Sequence, residues 1–316
     1  MLHTVYPKDV SGLLGLGIHQ GVNLAMPYSD FHNQGSRNFA WQTLSSIIRE
    51  KNKNIQSILV TDGLQNSSLL TLENAHQSPT WEIKLLLIEA IHLDILAKLL
   101  SEAINISIRN NGRRILLRVG SQSRLAQKVT LHGFRSYSTE NYYLSNNDQH
   151  RSKLSQNAES NHLSFRNKEQ KDDYPLFTLY NKVMPYKMRL AEGLTFEHWI
   201  ETINSQWTGA EFTKDIVFTK DNLIQGWVRF AKFSKDHSLT KLMLAMPEDI
   251  NFDPFYIARL NLKLVPKATF ISLPVDSNIS HTQMGSWGYK YHGSYINLVR
   301  EFGKTVPESI FAAASL

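Results

Sequence analysis

The sequence contains no cysteine. This absence excludes disulfide bonds, thiolate metal sites and a cysteine nucleophile, and it fits a reducing compartment. The first residues do not place a basic segment before an apolar one, so no signal peptide is predicted. The longest apolar runs, such as LLLIEAI, are too short to cross a bilayer. We therefore expect a cytoplasmic protein with no membrane partner.

Several functional motifs are also missing. No Lys/Arg run exceeds two residues, so the net charge of +6 indicates a mildly basic surface, and a nucleic-acid partner is unlikely on this basis. Net charge alone leaves a nucleic-acid binder as the weakest alternative. The twelve histidines are scattered without an HExxH pattern, so no metal site is expected. Strand–helix junctions carry no GxSxG, Walker or Rossmann fingerprint.

The composition is that of a core-forming chain. Hydrophobic residues make up 42% of the 316 positions and charged residues 20%. At roughly 100–200 residues per domain, this length predicts about two domains.

An internal repeat supports that division. The stretch NLAMPY at Asn23–Tyr28 returns 158 positions later as NKVMPY at Asn181–Tyr186, and Trp41 falls on Trp199 without a gap. At the same offset SILVT overlays DIVFT, and farther along GFRSYSTENYYL matches GYKYHGSYINLV at an offset of 155. Shared strand patterns explain the apolar matches but not the MPY and Trp matches, so we infer an internal duplication.

The repeat sets the predicted domain limits. One domain covers residues 1–144 and the other covers residues 162–316. Between them, SNNDQHRSKLSQNAESN at 145–161 is polar with a single Leu, and it is predicted to be a flexible linker. In both copies of the MPY motif, the Pro is predicted to precede a helix, with Met and Tyr packing beneath it.

Each copy has the same predicted order of elements: strand, helices, three antiparallel strands, helix, strand, helix, strand. The closing parts read RRILLRVGSQSRLAQKVTLHGFRSY and ATFISLPVDSNISHTQMGSWGYKYH. This order resembles the GNAT superfamily of acyl-CoA-dependent N-acyltransferases, over nearly all of both halves. The fold class implied is α/β (α+β): two tandem GNAT-like domains, each a mixed, mostly antiparallel sheet flanked by helices.

The resemblance implies transfer of an acyl group from acetyl-CoA or another acyl-CoA to an amine on a small molecule or a peptide. In that superfamily the pantetheine pairs with the fourth strand where the next strand splays away, and the pyrophosphate binds at the following helix N-terminus. Asp94 and Leu96 replace the usual small residues in the first copy, and Glu248, Asp249 and Asp253 make the second copy look the poorer phosphate binder. The predicted cofactor-binding residues are therefore in the first copy: Leu87, Ile88, Glu89, Ala90, Ile91, His92 and Leu93.

The catalytic groups implied by the resemblance are sparse. Glu73 and Glu82, on the predicted third and fourth strands, are the candidates for a catalytic base. Val129 and Met284 occupy the positions where the superfamily often has a tyrosine acid. The two glutamates could equally belong to the solvated face of a strand, which leaves open a catalytically inactive tandem GNAT-like protein that serves in binding or assembly.

Overall fold

The computed structural model describes most of the chain between residues 55 and 302 and two short segments before it. The described residues are 2–4, 23–25, 55–62, 66–74, 79–88, 93–146, 164–205, 211–232, 237–245 and 268–302.

The strands of the N-terminal half are β1 (Leu2–Thr4), β2 (Asn23–Ala25), β3 (Ile55–Asp62), β4 (Asn66–Asn74), β5 (Thr80–Ile88), β6 (Arg114–Gly120) and β7 (Arg135–Asn146). Those of the C-terminal half are β8 (Ser164–Asn167), β9 (Phe212–Lys220), β10 (Leu223–Lys232), β11 (His237–Leu244), β12 (Ala268–Pro274) and β13 (Lys290–Glu301). The helices are α1 (Leu93–Arg109), α2 (Arg124–Thr130), α3 (Asp173–Val183), α4 (Tyr186–Glu192), α5 (Phe196–Ser205) and α6 (His281–Ser286).

Local chemistry explains where these elements begin and end. Helix α1 has Asp94 in its first turn and Arg109 in its last, and both charges suit the helix dipole. Its chain then turns through Asn111, whose φ is 59°. In the β9–β10 hairpin, Asp221 and Asn222 both have positive φ, as a tight two-residue turn requires.

All thirteen strands among the described residues form one sheet, and its order is nearly symmetric. The order is β1-β3-β4-β5-β2-β6-β13-β7-β12-β11-β10-β9-β8. Apart from β2, each strand of one half has a counterpart at the mirrored place in the other half. The symmetry centre lies between β13 and β7, where the two halves of the sheet meet.

The last strand of each half is inserted into the other half. Strand β7 lies between β12 and β13, and β13 lies between β6 and β7. The two halves therefore share one continuous set of main-chain hydrogen bonds.

The strand registers follow the sequence repeat. Ile58 faces Leu70 in the β3–β4 pair, and the residues 158 positions later, Ile216 and Val228, face each other in β9–β10. Before the final strands, the aligned glycines Gly133 and Gly288 have φ values of 80° and 81°. The second offset of the repeat, 155, thus joins residues with the same backbone conformation.

The start of the predicted linker is corrected by strand β7. This strand ends at Asn146, and Ser145 is only 1% exposed. The first two residues of the predicted segment 145–161 therefore belong to the sheet, because β7 extends to pair with β12. The rest of that segment lies outside the described residues, and the domain limits 1–144 and 162–316 otherwise stay predictions.

The sheet has two faces with different covers. Helices α1, α2 and α6 pack on the face we call the rear face, over cores that include Leu96 and Leu117 in one half and Phe230 and Met284 in the other. In the C-terminal half, α3 and α5 cover the opposite, front face with Trp199 against Trp227 and Met243.

This packing bears on Val129 and Met284 and on the predictions for the MPY motif. Val129 and Met284 are fully buried in the rear-face cores, so these positions serve packing. Pro185 directly precedes α4, as predicted, and Met184 packs against the front-face core. Tyr186, however, is 68% exposed, so the prediction that the Tyr of the motif packs beneath the helix is wrong here.

Candidate active site

In the N-terminal half, the gap between the fourth and fifth main strands is filled by the chain itself. Strands β5 and β6 pair in parallel only over Thr80–Ile83 and Arg114–Leu117, and then they separate. Strand β2 enters the gap: Asn23–Ala25 pairs with Leu86–Ile88 of β5, and Ala25 also pairs with Val119 of β6. The backbone of β5 is thus bonded on both sides where it diverges.

The corresponding gap in the C-terminal half contains no strand from the described part of the chain. Strands β11 and β12 pair over His237–Thr240 and Ala268–Ile271 and then diverge. Beyond Thr240, β11 has β10 as its strand partner among the described residues. The segment Asn181–Val183, which the repeat aligns with β2, forms the last residues of helix α3.

Backbone groups of β11 point into this second gap. The N–H of Ala245 donates to the carbonyl of Gln225, on the β10 side. Because alternate residues of an antiparallel strand turn their backbone groups to opposite sides, Leu242 and Leu244 direct theirs toward β12. The side chain of Asn278 donates to the Leu244 carbonyl at 3.0 Å, which ties the end of β11 to the loop after β12.

The predicted catalytic residues, Glu73 and Glu82, lie opposite each other on β4 and β5. Lys84, the extra residue where the β4–β5 register shifts, lies 2.6 Å from a Glu82 carboxylate oxygen and 3.7 Å from one of Glu73. Burial would raise the pKa of Glu82, but the Lys84 ammonium and the Arg118 guanidinium outweigh it and lower that pKa. The Lys84 ammonium is in direct contact with the Glu82 carboxylate and lowers its pKa, so this carboxylate is a weak proton acceptor and the contact favours a structural role.

Three of the seven predicted cofactor-binding residues lie in the described part of the chain. Leu87 and Ile88 are buried, and their backbones pair with β4 and β2. Leu93 is the first residue of α1 and is 44% exposed. The other four predicted residues, Glu89, Ala90, Ile91 and His92, lie outside the described residues.

A buried polar network that the sequence did not predict crosses the centre of the front face. Glu140 on β7 is 7% exposed. Its Oε1 accepts from Asn297 Nδ2 at 2.6 Å and lies 3.7 Å from Arg118 Nη2. Its Oε2 accepts a short hydrogen bond from the hydroxyl of Ser272 on β12. The carboxylate is thus held by groups from both neighbouring strands, β12 and β13, and lies near Arg118 of β6, the next strand beyond β13.

Asn297 connects the network further. Arg118 Nε donates to Asn297 Oδ1 at 3.0 Å, and Asn297 Nδ2 also lies 2.8 Å from Ser138 Oγ. Arg118 acts electrostatically on Glu82 as well. The network therefore reaches from the filled gap to Ser272 beside the second gap. An acidic residue inside the aromatic strand pattern YSTENYY was the available signal, but its partners come from strands of both halves.

The two halves place different chemistry at equivalent positions of this network. Tyr295 of β13 faces Gly120 of β6, and at the mirrored place Glu140 of β7 faces Pro274 of β12. Arg118 lies two residues before Gly120 on β6, and Ser272 lies two residues before Pro274 on β12, so Arg118 and Ser272 are equivalent. Burial raises the pKa of the Tyr295 hydroxyl to about 12, although Arg118 opposes this. Beside the first gap the network thus has Arg118 on β6 and Tyr295 on the inserted strand β13, and beside the second gap it has Ser272 on β12 and Glu140 on the inserted strand β7.

By sequence, no protein-family model and no curated protein matches the chain. By structure, it resembles the tandem GNAT protein from the clavulanic acid biosynthesis pathway, with a TM-score of 0.58 at 12% identity, over 96% of this chain and all of that one. A GCN5-related N-acetyltransferase from Sphaerobacter thermophilus matches with a TM-score of 0.60 at 10% identity, over 95% of each chain. One from Kribbella flavida matches with a TM-score of 0.51 at 8% identity, over 85% and 97%.

The chain has the tandem GNAT fold. In GNAT terms, β5 and β11 are the two fourth strands, and the two gaps are the places where the fifth strands, β6 and β12, splay away. At these identities the likeness fixes the fold and leaves the reaction to be argued from the site. No helix in the described ranges is long and apolar enough to span a membrane. The same ranges contain no group of three His, Asp or Glu side chains that could hold a metal ion.

Proposed function

We propose that this protein is an acyl-CoA-dependent N-acyltransferase that binds its acyl-CoA in the C-terminal half, between β11 and β12. The observation that carries the proposal is the difference between the gaps. The first is occupied by β2, and in the second Leu242 and Leu244 direct backbone groups toward the space. Pantetheine is an amide chain, so it can pair with such groups as a strand would.

This proposal moves the predicted cofactor site from the first copy to the second. A pantetheine arm at Leu87 and Ile88 would have to displace β2, which is in register with β5 over three residue pairs. The acceptor would be an amine on a small molecule or a peptide, approaching on the front face, where α3, α4 and α5 pack. Acetyl-CoA is the simplest acyl donor of the class.

A catalytically inactive binding protein is the second candidate. Its support is that Val129 and Met284 are buried core residues where the superfamily often has a tyrosine acid. Glu73 and Glu82, in addition, are engaged by Lys84. Such a protein would bind acyl-CoA, or only a partner, without turning it over.

The site is tested by hydrogen exchange and thermal unfolding with and without millimolar acetyl-CoA. Binding should raise the Tm, because a ligand that binds the folded state stabilises it. It should also slow amide exchange at Leu242 and Leu244. The amides of Leu86–Ile88 provide the matched control, since they lie between two strands already and should not change.

Two results would count against the proposal. Protection of Leu86–Ile88 instead of Leu242 and Leu244 would return the cofactor to the first copy. If neither the Tm nor the amide exchange changes, the proposal that the protein binds acyl-CoA is wrong. Release of free CoA thiol with a panel of amines then separates the enzyme from the inactive candidate.

A further inference from the structure

The narrow end of the second gap is marked by Ser272. Thr240 and Ile271 are the last paired residues of β11 and β12, and Ser272 follows immediately. Ile271 and Leu273 point into the rear-face core, so Ser272 points to the front face, where it is half-buried. Under the proposed function, the phosphate end of acyl-CoA lies at the wide mouth of the gap, and the thioester therefore reaches toward Ser272.

Ser272 has a proton acceptor built into the sheet. Its hydroxyl donates to Glu140 Oε2, while Asn297 and Arg118 hold the other carboxylate oxygen. Because Glu140 is 7% exposed and fixed from both neighbouring strands, Oε2 stays aimed at Ser272. Other ionisable side chains on this face include those of Arg118, Tyr295, Tyr142, Tyr137, Glu82 and Lys84, and helices α3 and α4 add Tyr180 and Glu192 beside Tyr137. Glu73, Arg114, Asp215 and Arg229 lie on the same face, on β4, β6, β9 and β10.

We propose that Ser272 and Glu140 form the proton-accepting pair of the acyl-transfer site. This inference rests on the proposed function. Ser272 is the catalytic residue that touches the acceptor amine, and Glu140 is the positioning residue that acts through it. The site is composite, because Ser272 belongs to the C-terminal half and Glu140 is supplied by β7 of the N-terminal half.

The proton transfers balance as follows. The acceptor ammonium passes one proton to Ser272 Oγ while the Ser272 hydroxyl proton moves to Glu140. The neutral amine attacks the thioester carbonyl, so that a C–N bond forms and the C–S bond breaks. The nitrogen then gives its second proton to water, the CoA thiolate takes up one proton from water, and Glu140 returns its proton to solvent. The net products are the amide, CoA thiol and one proton.

The equivalent positions beside the first gap, Arg118 on β6 and Tyr295 on β13, cannot do this chemistry. Arg118 has no acceptor atom and stays protonated in proteins. Burial raises the pKa of Tyr295 to about 12, so its hydroxyl is neutral near pH 7. The gap that β2 fills is thus also the gap without a proton acceptor at this position.

The test is steady-state kinetics of wild type, Ser272→Ala and Glu140→Gln with acetyl-CoA and the best amine of the panel. A proton-transfer group contributes about 10²–10⁴-fold, so each variant should lower kcat by at least about 100-fold with little change in the KM for acetyl-CoA. The wild-type rate should fall at acid pH as Glu140 is protonated, and Glu140→Gln should abolish that fall. Acetyl-CoA should still slow exchange at Leu242 and Leu244 in both variants.

Tyr295→Phe is the matched control, because it alters the mirrored position in the same network. It should keep the wild-type kcat and pH profile. Wild-type rates and pH profiles in both Ser272→Ala and Glu140→Gln would overturn the proton-accepting pair while leaving the proposed function intact. A wild-type protein that binds acetyl-CoA but releases no CoA with any amine would overturn the pair together with the transferase. If Glu140→Gln does not fold, Ser272→Ala decides, since its half-buried hydroxyl can be removed with less disturbance.

Discussion

The two copies of the MPY motif agree in four of six letters and yet begin with different structures. In the first copy, Asn23–Ala25 forms a strand inside the sheet; in the second, Asn181–Val183 ends a helix. Asn181 bonds back to the Phe177 carbonyl at 3.0 Å, as a helical side chain can. A short segment therefore takes the conformation that its surroundings stabilise. In the first copy, the backbone groups of β5 and β6 at the gap offer hydrogen-bond partners to a strand.

A second difference lies on adjacent strands at equivalent positions. Ser57 faces Thr71 in the N-terminal half, and their hydroxyls lie 3.2 Å apart. The corresponding pair in the C-terminal half is Asp215 and Arg229, which form two hydrogen bonds of 2.7 and 2.8 Å. The same register thus carries a neutral pair in one half and an ion pair in the other.

Asp215→Ala should cause the largest loss of stability. Arg229 is 7% exposed, and removal of its partner would leave a nearly buried charge without the carboxylate and Trp227 without its acceptor. Breaking a buried pair in this way costs about 3–5 kcal/mol. Ser57→Ala should cost about 1 kcal/mol. Urea unfolding followed by circular dichroism measures both.

The double variant Asp215→Ala/Arg229→Met is the control for the buried charge. It should recover part of the loss, because the unpaired guanidinium is gone. Equal losses for Asp215→Ala and Ser57→Ala would contradict the distinction between the two pairs.

The repeat can be tested at the glycines that precede the final strands. Gly133→Ala and Gly288→Ala should each destabilise by about 1–2 kcal/mol, because a Cβ is unfavourable at φ near +80°. At Gly133 the new Cβ also meets the movable end of Arg300. The control is Gly285→Ala in α6, where the Cβ has open space; it should be neutral or stabilising by up to about 1 kcal/mol. If thermal unfolding shows a loss of stability for only one of Gly133→Ala and Gly288→Ala, the two glycines are not structurally equivalent.

Glu82→Gln should have the smallest effect on stability, at most about 1 kcal/mol at pH 7, because the ion pair is partly exposed. The pKa of Glu82 is lowered by folding, so its contribution is present above the ordinary value of 4.5 and is lost as the pH falls through the folded value. Wild type should therefore lose more stability than Glu82→Gln between neutral pH and pH below 4.5. Parallel Tm curves for the two proteins would contradict this.

The same variant separates the two candidates for the base. The C-terminal half has Ala231 and Leu239 at the positions of Glu73 and Glu82, so the carboxylate pair is peculiar to the first copy. Glu82→Gln should leave kcat unchanged if Ser272 and Glu140 accept the proton. A loss of about 100-fold would restore Glu82 as the base predicted from sequence.

The predictable parts of the fold depend on local pattern. Alternating apolar residues predicted the main strands, and the repeat of MPY and Trp located the second copy. The alignment of Gly133 with Gly288 extended the repeat into the last strand of each copy. These signals lie within one stretch of sequence, so a GNAT-like order of elements could be predicted from them.

The unpredicted parts depend on contacts between distant segments. Asn297 and Glu140 are 157 positions apart, and strand alternation within β7 does not reveal which strand lies beside it. The entry of β2 into the sheet was equally hidden, because the aligned segment Asn181–Val183 ends a helix in the other copy. The sequence therefore favours the first copy, whose phosphate loop departs less from the superfamily pattern. It does not indicate which of the two gaps is filled by a strand.

The exchange of the final strands has a consequence for which parts of the chain can be lost. Strand β7 lies between β12 and β13 of the C-terminal half, and it brings Glu140 with it. A truncation that removed the N-terminal half would therefore take away the neighbour of β12 and leave β12 at an exposed sheet edge. Loss of either copy would thus remove a strand on which the sheet of the other depends, so the two copies are expected to be retained together.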